Sequence, residues 1–298
     1  VKNIWLKEST LNICAGIVLY NPEMERLAEN ISSIISQVKT VVLVDNGSAN
    51  ICAVQERWGN MPNIVFIKNE KNQGIAKALN QMCEWAMNND FDWILTLDQD
   101  SVCDCRMIEK LQPYTRIKEV GIICPRVEYE NVTNKTRYSS DYQYVEACMT
   151  SASLTSIKSW QECCGFDEWM FIDYVDNDFC MRLKLHSYFV IRVNTVVLYH
   201  QLGQSKEILL LFKIKVIVNN HNNIRNYYYT RNSIYYMKKY TKHINIYKQI
   251  LILLHFESKK IIFEKKKILT IKSFINGFVA GVRSKPYLEK TVIGGVEK

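Results

Sequence analysis

The sequence predicts an α/β fold, a mostly parallel sheet flanked by helices, over residues 1–205, followed by a basic amphipathic helical region over residues 206–298. Three observations lead there. Residues 12–125 alternate short apolar runs with segments of helical periodicity, the pattern of a parallel sheet covered on both faces. Two of the apolar runs end in polar clusters, Asp45-Asn46-Gly47-Ser48 and Asp98-Gln99-Asp100, and open sheets of this kind bind ligands beyond the carboxyl ends of their strands. The net charge of +8 is also unevenly placed: residues 1–200 hold 19 Lys+Arg against 25 Asp+Glu, and residues 201–298 hold 19 against 5.

The elements follow in order. Asn12–Tyr20 is a short apolar strand, and Met24, Leu27, Ile31, Ile34, Ile35 and Val38 then recur at helical spacing. Thr40–Val44 is a β-branched run ending in turn chemistry. After a less marked helix, Asn63–Lys68 reads as a third strand, and Ile75, Ala78, Leu79, Met82 and Trp85 form another helical stripe. Phe91–Leu97 and Val120–Cys124 complete five strands. Beyond residue 205 the chain is rich in Lys, Ile, Tyr and Asn. Tyr247, Ile250, Leu251 and Leu254 form one stripe there, and Ile268, Ile271, Ile275, Phe278, Val279 and Val282 a second, with Lys265, Lys266, Lys267 and Lys272 near its start.

Composition excludes several classes. Apolar residues make up 48% and charged residues 23%, which rules out disorder, collagen and coiled coil. The clean apolar runs Ile208–Phe212 and Ile250–Leu254 are far too short to span a bilayer. Residues 1–20 lack the ordered parts of a secretory signal, so a cytoplasmic location is expected. The ten cysteines include one adjacent pair and Cys103-x-Cys105 but no CxxC, which favours reduced thiols over disulfides or zinc. The sequons at Asn30, Asn131 and Asn134 then read as chance matches.

Three segments carry chemistry. In extended chain, residues i and i+2 face one side, so Asp98 and Asp100 are expected to converge while Gln99 faces away. Two such carboxylates suit a hard divalent cation shared with substrate phosphates; a solvated acidic loop is the plain alternative. In Phe171–Phe179, Asp178 lies one helical turn before Arg182, and the expected role is a surface ion pair. Asp176 sits among aromatic and aliphatic neighbours, where a carboxylate partly withdrawn from water is able to take a proton from a hydroxyl. His200 ends the run Val196–Tyr199 and is either an ordinary polar residue or part of a metal or phosphate site.

Taken together these residues resemble the family 2 nucleotide-sugar glycosyltransferases of the GT-A fold, and within them the bacterial rhamnosyltransferase branch. The matching features run in the family's order over residues 10–235: Val18-Leu19-Tyr20-Asn21, Asp45–Ser48, Asn72-Gln73-Gly74-Ile75-Ala76 with Asn80, and Leu97–Ser101. Thr150–Ser153, the Asp176 segment, His200-x-Leu-Gly203 and the Arg225–Asn232 segment follow.

The resemblance implies a Rossmann-like catalytic domain over residues 1–205 and an inverting, metal-dependent transfer of a sugar. That sugar is expected to be L-rhamnose from dTDP-rhamnose, passed to a lipid-linked or polysaccharide acceptor in surface-glycan (O-antigen) synthesis; a UDP-hexose donor is the alternative. Tyr20, Asn21, Asp45 and Asn46 would hold the nucleoside. Asn72 and Gly74 would let the backbone approach the donor, and Asp98 would contact ribose or sugar. Asp100 and His200 would bind Mg²⁺ or Mn²⁺, Asp176 would be the general base, and Ser151, Ala152, Arg225 and Arg231 would lie toward the acceptor. The chain departs from the family in having Val175 where an acidic residue is usual and Ala152 where glycine is common. Val175 favours a different class, a non-catalytic nucleotide-sugar or lipid-carrier binding subunit; the intact Asp98, Asp100, Asp176 and His200 argue against it. The basic tail is expected to meet an anionic membrane surface at the inner face of the cell membrane, or else to cap the domain. Nucleic acid is not expected, because the tail's tyrosines sit at core-like helical spacing.

Overall fold

The computed structural model describes residues 11–129, 138, 140–200, 205–209, 215–219, 223–263 and 266–286. Two compact units divide the chain: Val1–Phe166 with Phe179–His200, and Asp167–Asp178 with Gln201–Lys298.

The first unit opens with strand β1 (Ile13–Leu19), helix α1 (Met24–Ile34), β2 (Val41–Asp45), α2 (Ile51–Trp58), β3 (Ile64–Lys68), α3 (Ile75–Asn88) and β4 (Trp93–Asp98). All seven residues of β1 are buried, as a strand covered on both faces requires. Its side chains pack with Leu27, Ile31 and Ile34 of α1, three of the residues of the expected stripe; the helix ends at Ile34, short of Val38. Parallel strands need a crossover, and α1, α2 and α3 supply it. Helix α4 (Met107–Leu111), a 3-10 turn at Gln112–Arg116, β5 (Val120–Tyr129), β6 (Tyr142–Val145), β7 (Ser153–Ser156), α5 (Ile157–Glu162), α6 (Val175–Leu185, its first four residues assigned to the other unit) and β8 (Phe189–His200) follow. The sheet order is β3-β2-β1-β4-β7-β5-β8-β6. Strand β7 runs antiparallel to β4 and β5, and β6 runs antiparallel to β8.

Register decides where the site forms. Leu19 of β1 lies opposite Asp45 of β2, and Val18 lies opposite Asp98 of β4. The order turns back at β1, with β2 and β3 on one side and β4 on the other, which makes the β1/β4 edge the topological switch point.

The second unit contains a two-stranded antiparallel ladder, β9 (Ser205–Leu209) with β10 (Lys215–Asn219), ahead of its helices α7 (Asn223–Lys239), α8 (Ile246–Phe263) and α9 (Lys267–Arg283). The region expected to be helical throughout thus begins with strands. Helix α9 lies against α7 through Gly277 and Gly281. A Cβ at Gly277 would lie 2.5 Å from the Tyr227 carbonyl oxygen, and one at Gly281 would lie 2.8 Å from Ile234 Cβ. Only glycine lets the two backbones come this close. Tyr235, Tyr236 and Tyr240 are buried, so these tyrosines fill a core.

The apolar stripes of α8 and α9 point outward. The buried line of α8 is Leu253, Glu257 and Lys260, while Tyr247, Leu251 and Leu254 are exposed. Glu257 accepts from Thr230 Oγ1 at 3.0 Å and pairs with Lys260 at 3.4 Å.

Candidate functional site

The loop after β2 is built around two polar side chains. The Asp45 carboxylate is buried and accepts from the Ser48 amide at 3.0 Å. Gly47 holds φ 81°, and a Cβ there would lie 2.7 Å from Lys71 Cα. Gly47→Ala is therefore expected to cost about 2 kcal/mol or more through left-handed strain and a backbone clash, read as a lower urea midpoint; an unchanged midpoint would contradict the loop geometry.

The Asn46 amide donates to Asn72 Oδ1 at 3.1 Å and to the Gly74 carbonyl at 3.0 Å, while its oxygen accepts from the Gln73 amide at 3.0 Å. The Gly74 amide in turn donates to Asn72 Oδ1 at 2.9 Å. Asn46 and Asn72 thus fasten the loop before α3 to the loop after β2. Asn21, at φ 47°, does the same for the end of β1: its amide donates to Ser48 Oγ and its side-chain oxygen accepts from the Ala49 amide, both at 2.8 Å. Tyr20 is exposed beside it.

The Asp98–Ser101 segment corrects the expectation from alternation. Strand β4 ends at Asp98, and the Ser101 amide donates to the Asp98 carbonyl at 3.1 Å, closing a turn. Asp100 therefore lies in a turn, where the two-residue repeat of extended chain no longer applies. Gln99 does not face away idly. Its Oε1 accepts from the Tyr20 amide at 2.8 Å and its Nε2 donates to the Tyr20 carbonyl at 3.3 Å, tying β4 to the end of β1. Asn30 donates to the Asp98 carbonyl at 2.6 Å, and Arg26 donates to the Asp100 carbonyl at 2.8 Å. Ser151 is buried: its Oγ accepts from the Asp98 amide at 3.2 Å and lies 2.7 Å from Ser101 Oγ. The next residue, Ala152, is buried at φ 57°. Gln99, Ser101, Asn30 and Arg26 were not among the expected site residues, because no local spacing reveals which loops the sheet register brings together. Asp98 is half-buried and Asp100 exposed.

In the second unit, α7 grips the segment 167–178. Arg225 reaches Asp173 through Nε at 3.1 Å and Nη2 at 2.9 Å. Asn232 donates to the carbonyls of Ile172 and Asp173 at 2.7 and 3.0 Å, and the Arg231 guanidinium lies 3.8 Å from the centre of the Trp169 ring. Asp173 and Tyr174 hold φ 63° and 66° just ahead of α6. Burial raises the Tyr174 hydroxyl above the usual phenol range, so it stays a neutral donor to Ser233 Oγ at 3.1 Å.

Asp178 and Arg182 do not lie at the surface, where an ion pair between them was expected. Both are buried, and the Asp178 carboxylate meets Lys239 Nζ and Tyr240 Oη, each at 2.8 Å. Asp176, on the first turn of α6, is half-buried. His200 closes β8, and its side chain falls outside the described residues, as does Gly203. Among the described residues, no group of three or more His, Cys, Asp or Glu side chains is gathered to hold a metal ion.

Residues 14–179 match the family described as glycosyl transferase family 2. The chain is 26% identical over 298 residues to the dTDP-rhamnosyl transferase RfbF of Shigella flexneri, covering 91% of this chain and 98% of that protein. It is 30% identical over 156 residues to an N-acetylglucosaminyltransferase of Azorhizobium caulinodans, covering 49% of this chain and 38% of that one. The crystal structure of S. aureus TarS 1-349 in complex with UDP-GlcNAc aligns with a TM-score of 0.56 at 16% identity, over 91% of this chain and 82% of that chain. At that identity the likeness establishes the fold, which is GT-A. The family match covers more than half of the chain and contains the β1, β2 and β4 edge described above, so the chain belongs to glycosyl transferase family 2 and is a glycosyltransferase.

Proposed function

We propose that the chain is an inverting, divalent-cation-dependent glycosyltransferase that moves L-rhamnose from dTDP-rhamnose to a hydroxyl of a lipid-linked or polysaccharide acceptor in bacterial surface-glycan synthesis. The donor assignment rests on one observation, similarity to a dTDP-rhamnosyl transferase along nearly the whole of both chains.

Tyr20 and Asp45 take the nucleoside, with Asn21, Asn46, Asn72 and Gly74 giving the pocket its shape through the bonds that join their loops. Asp98 receives ribose or sugar hydroxyls. Asp100 supplies a hard oxygen donor at the exposed end of β4, a donor that fits Mg²⁺ or Mn²⁺ when a diphosphate and water complete the shell; His200 is its proposed second protein ligand. When bound, such an ion stabilises the negative charge that grows on the leaving diphosphate. Asp176 takes the proton from the acceptor hydroxyl, whose oxygen attacks the anomeric carbon from the face opposite the leaving group, so the configuration inverts. What supports Asp176 over Asp178 is exposure: Asp178 is wholly buried against Lys239 and Tyr240, whereas Asp176 is only half-buried.

A UDP-hexose donor is the second reading, favoured by the similarity of half the chain to an N-acetylglucosaminyltransferase. A donor screen decides between them: dTDP-rhamnose is expected to be turned over fastest, and a preference for a UDP-hexose would overturn the assignment. Exhaustive chelation is expected to lower turnover about tenfold or more, with recovery on adding Mg²⁺ or Mn²⁺; activity that survives chelation would remove Asp100 and His200 from metal binding.

A further inference from the structure

The outward-facing sides of α8 and α9 combine two properties that surface helices seldom combine. Each is apolar. Tyr247 is 82% exposed and Leu251 67% on α8, and Ile268 is 83% and Ile275 53% on α9. Within each helix these residues fall in one stripe, at positions 247, 250, 251, 254 and at positions 268, 271, 275, 278, 282. An amphipathic helix that merely caps a domain turns such a stripe inward. Here α8 buries Leu253, Glu257 and Lys260 instead, and α9 buries Thr270, Gly277 and Gly281.

Among the described residues of these helices and their caps, the exposed charge has one sign. Lys248, Lys266, Lys267, Lys272 and Arg283 are exposed. The acidic residue described on these helices, Glu257, is buried and paired with Lys260. A second copy of the chain docked on this face would bring lysine against lysine around the apolar contact. An anionic lipid surface would accept both features at once, the stripes among the acyl chains and the ammonium groups at the phosphates. No described helix is long and apolar enough to cross a membrane, which leaves helices lying along the interface.

We propose that α8 and α9 form a membrane-docking surface that seats the protein on anionic phospholipid. The assignment is independent of the donor and of the chemistry at Asp98–Ser101, since it concerns other residues and is read without sugar transfer.

Sedimentation of the full chain with phosphatidylcholine vesicles, with and without about one third phosphatidylglycerol, tests it. Binding is expected on the anionic vesicles at low salt, with loss at high salt and little binding to neutral vesicles. Leu251→Gln with Ile275→Gln is expected to weaken binding about tenfold, and Lys267→Glu with Lys272→Glu about tenfold or more. All four side chains are exposed, so thermal melting should stay at the parental midpoint; if the glutamine pair misfolds, the lysine pair decides. Absence of binding to anionic vesicles at low salt would overturn the proposal. So would equal binding to neutral vesicles, or binding indifferent to both pairs. Concentration-dependent dimers broken by the glutamine pair, without vesicle binding, would assign the face to a second copy instead.

Discussion

Asp176→Asn is expected to lower turnover by about 10²–10⁴-fold, the usual worth of a positioned general base. The amide matches the carboxylate in size but cannot take a proton from the acceptor hydroxyl. The loss should fall on kcat, with the donor KM nearly unchanged, because an interaction made only in the transition state is removed. Calorimetric titration with donor nucleotide separates the two quantities, and intact donor binding with depressed turnover is the expected pair of results. Asp178→Asn supplies the contrast. Its carboxylate is buried between Lys239 and Tyr240, so that change should act on stability before it acts on catalysis. Near-parental turnover in Asp176→Asn would remove the residue from the base role. A family 2 chain with Val175 in place of the usual acid would then need its base elsewhere.

The strands β1, β2 and β4 and the turns that end them were the legible part of the chain. Strands β1, β2 and β4 are buried along nearly their whole length, so they read as unbroken apolar runs, and turn residues mark where each one ends. What spacing could not show is set by contacts between distant segments. Gln99 has no local reason to bind Tyr20; it does so because β1 and β4 pair in a register that brings the two loops level. Asp98 and Asp100 looked like neighbours on an extended strand, and the turn closed by Ser101 separates that argument from the geometry. The tail shows the same limit. Periodicity found both stripes of α8 and α9 but not their direction, because the pair Gly277 and Gly281, which fixes the face that α9 turns to α7, carries no hydropathy signal. Charge spacing likewise matched Asp178 to Arg182 at one helical turn, but could not show that Lys239, 61 residues further along the chain, also reaches its carboxylate.

Lys239→Met is expected to cost about 3–5 kcal/mol of stability, the usual penalty for removing one member of a buried ion pair. The Lys239 ammonium is almost wholly buried and bridges two carboxylates, Asp167 at 2.6 Å and Asp178 at 2.8 Å. Methionine keeps the length and packing of the stem, so the loss isolates the charge. Both carboxylates then stay in a poorly solvated place without the cation that they share, while Tyr235 and Tyr240 still donate to them at 2.9 and 2.8 Å. A fall in the urea midpoint measures the cost, and a second variant tests its origin. In Lys239→Met with Asp178→Asn, one of the two carboxylates that lost the ammonium is also neutral, so the double variant should be less destabilised than the two single changes added together. Strict additivity would mean that the ammonium and Asp178 do not interact. A Lys239→Met midpoint close to the parental one would show that water reaches the pair. The consequence extends to chemistry, because Asp167 and Asp178 bound the segment that carries Asp176. Loosening that segment should broaden the positions Asp176 samples, and a 1 Å misplacement of a catalytic group is enough to cost about 10²-fold in rate. Lys239→Met is therefore expected to lose turnover at temperatures well below its own melting transition, with donor binding retained.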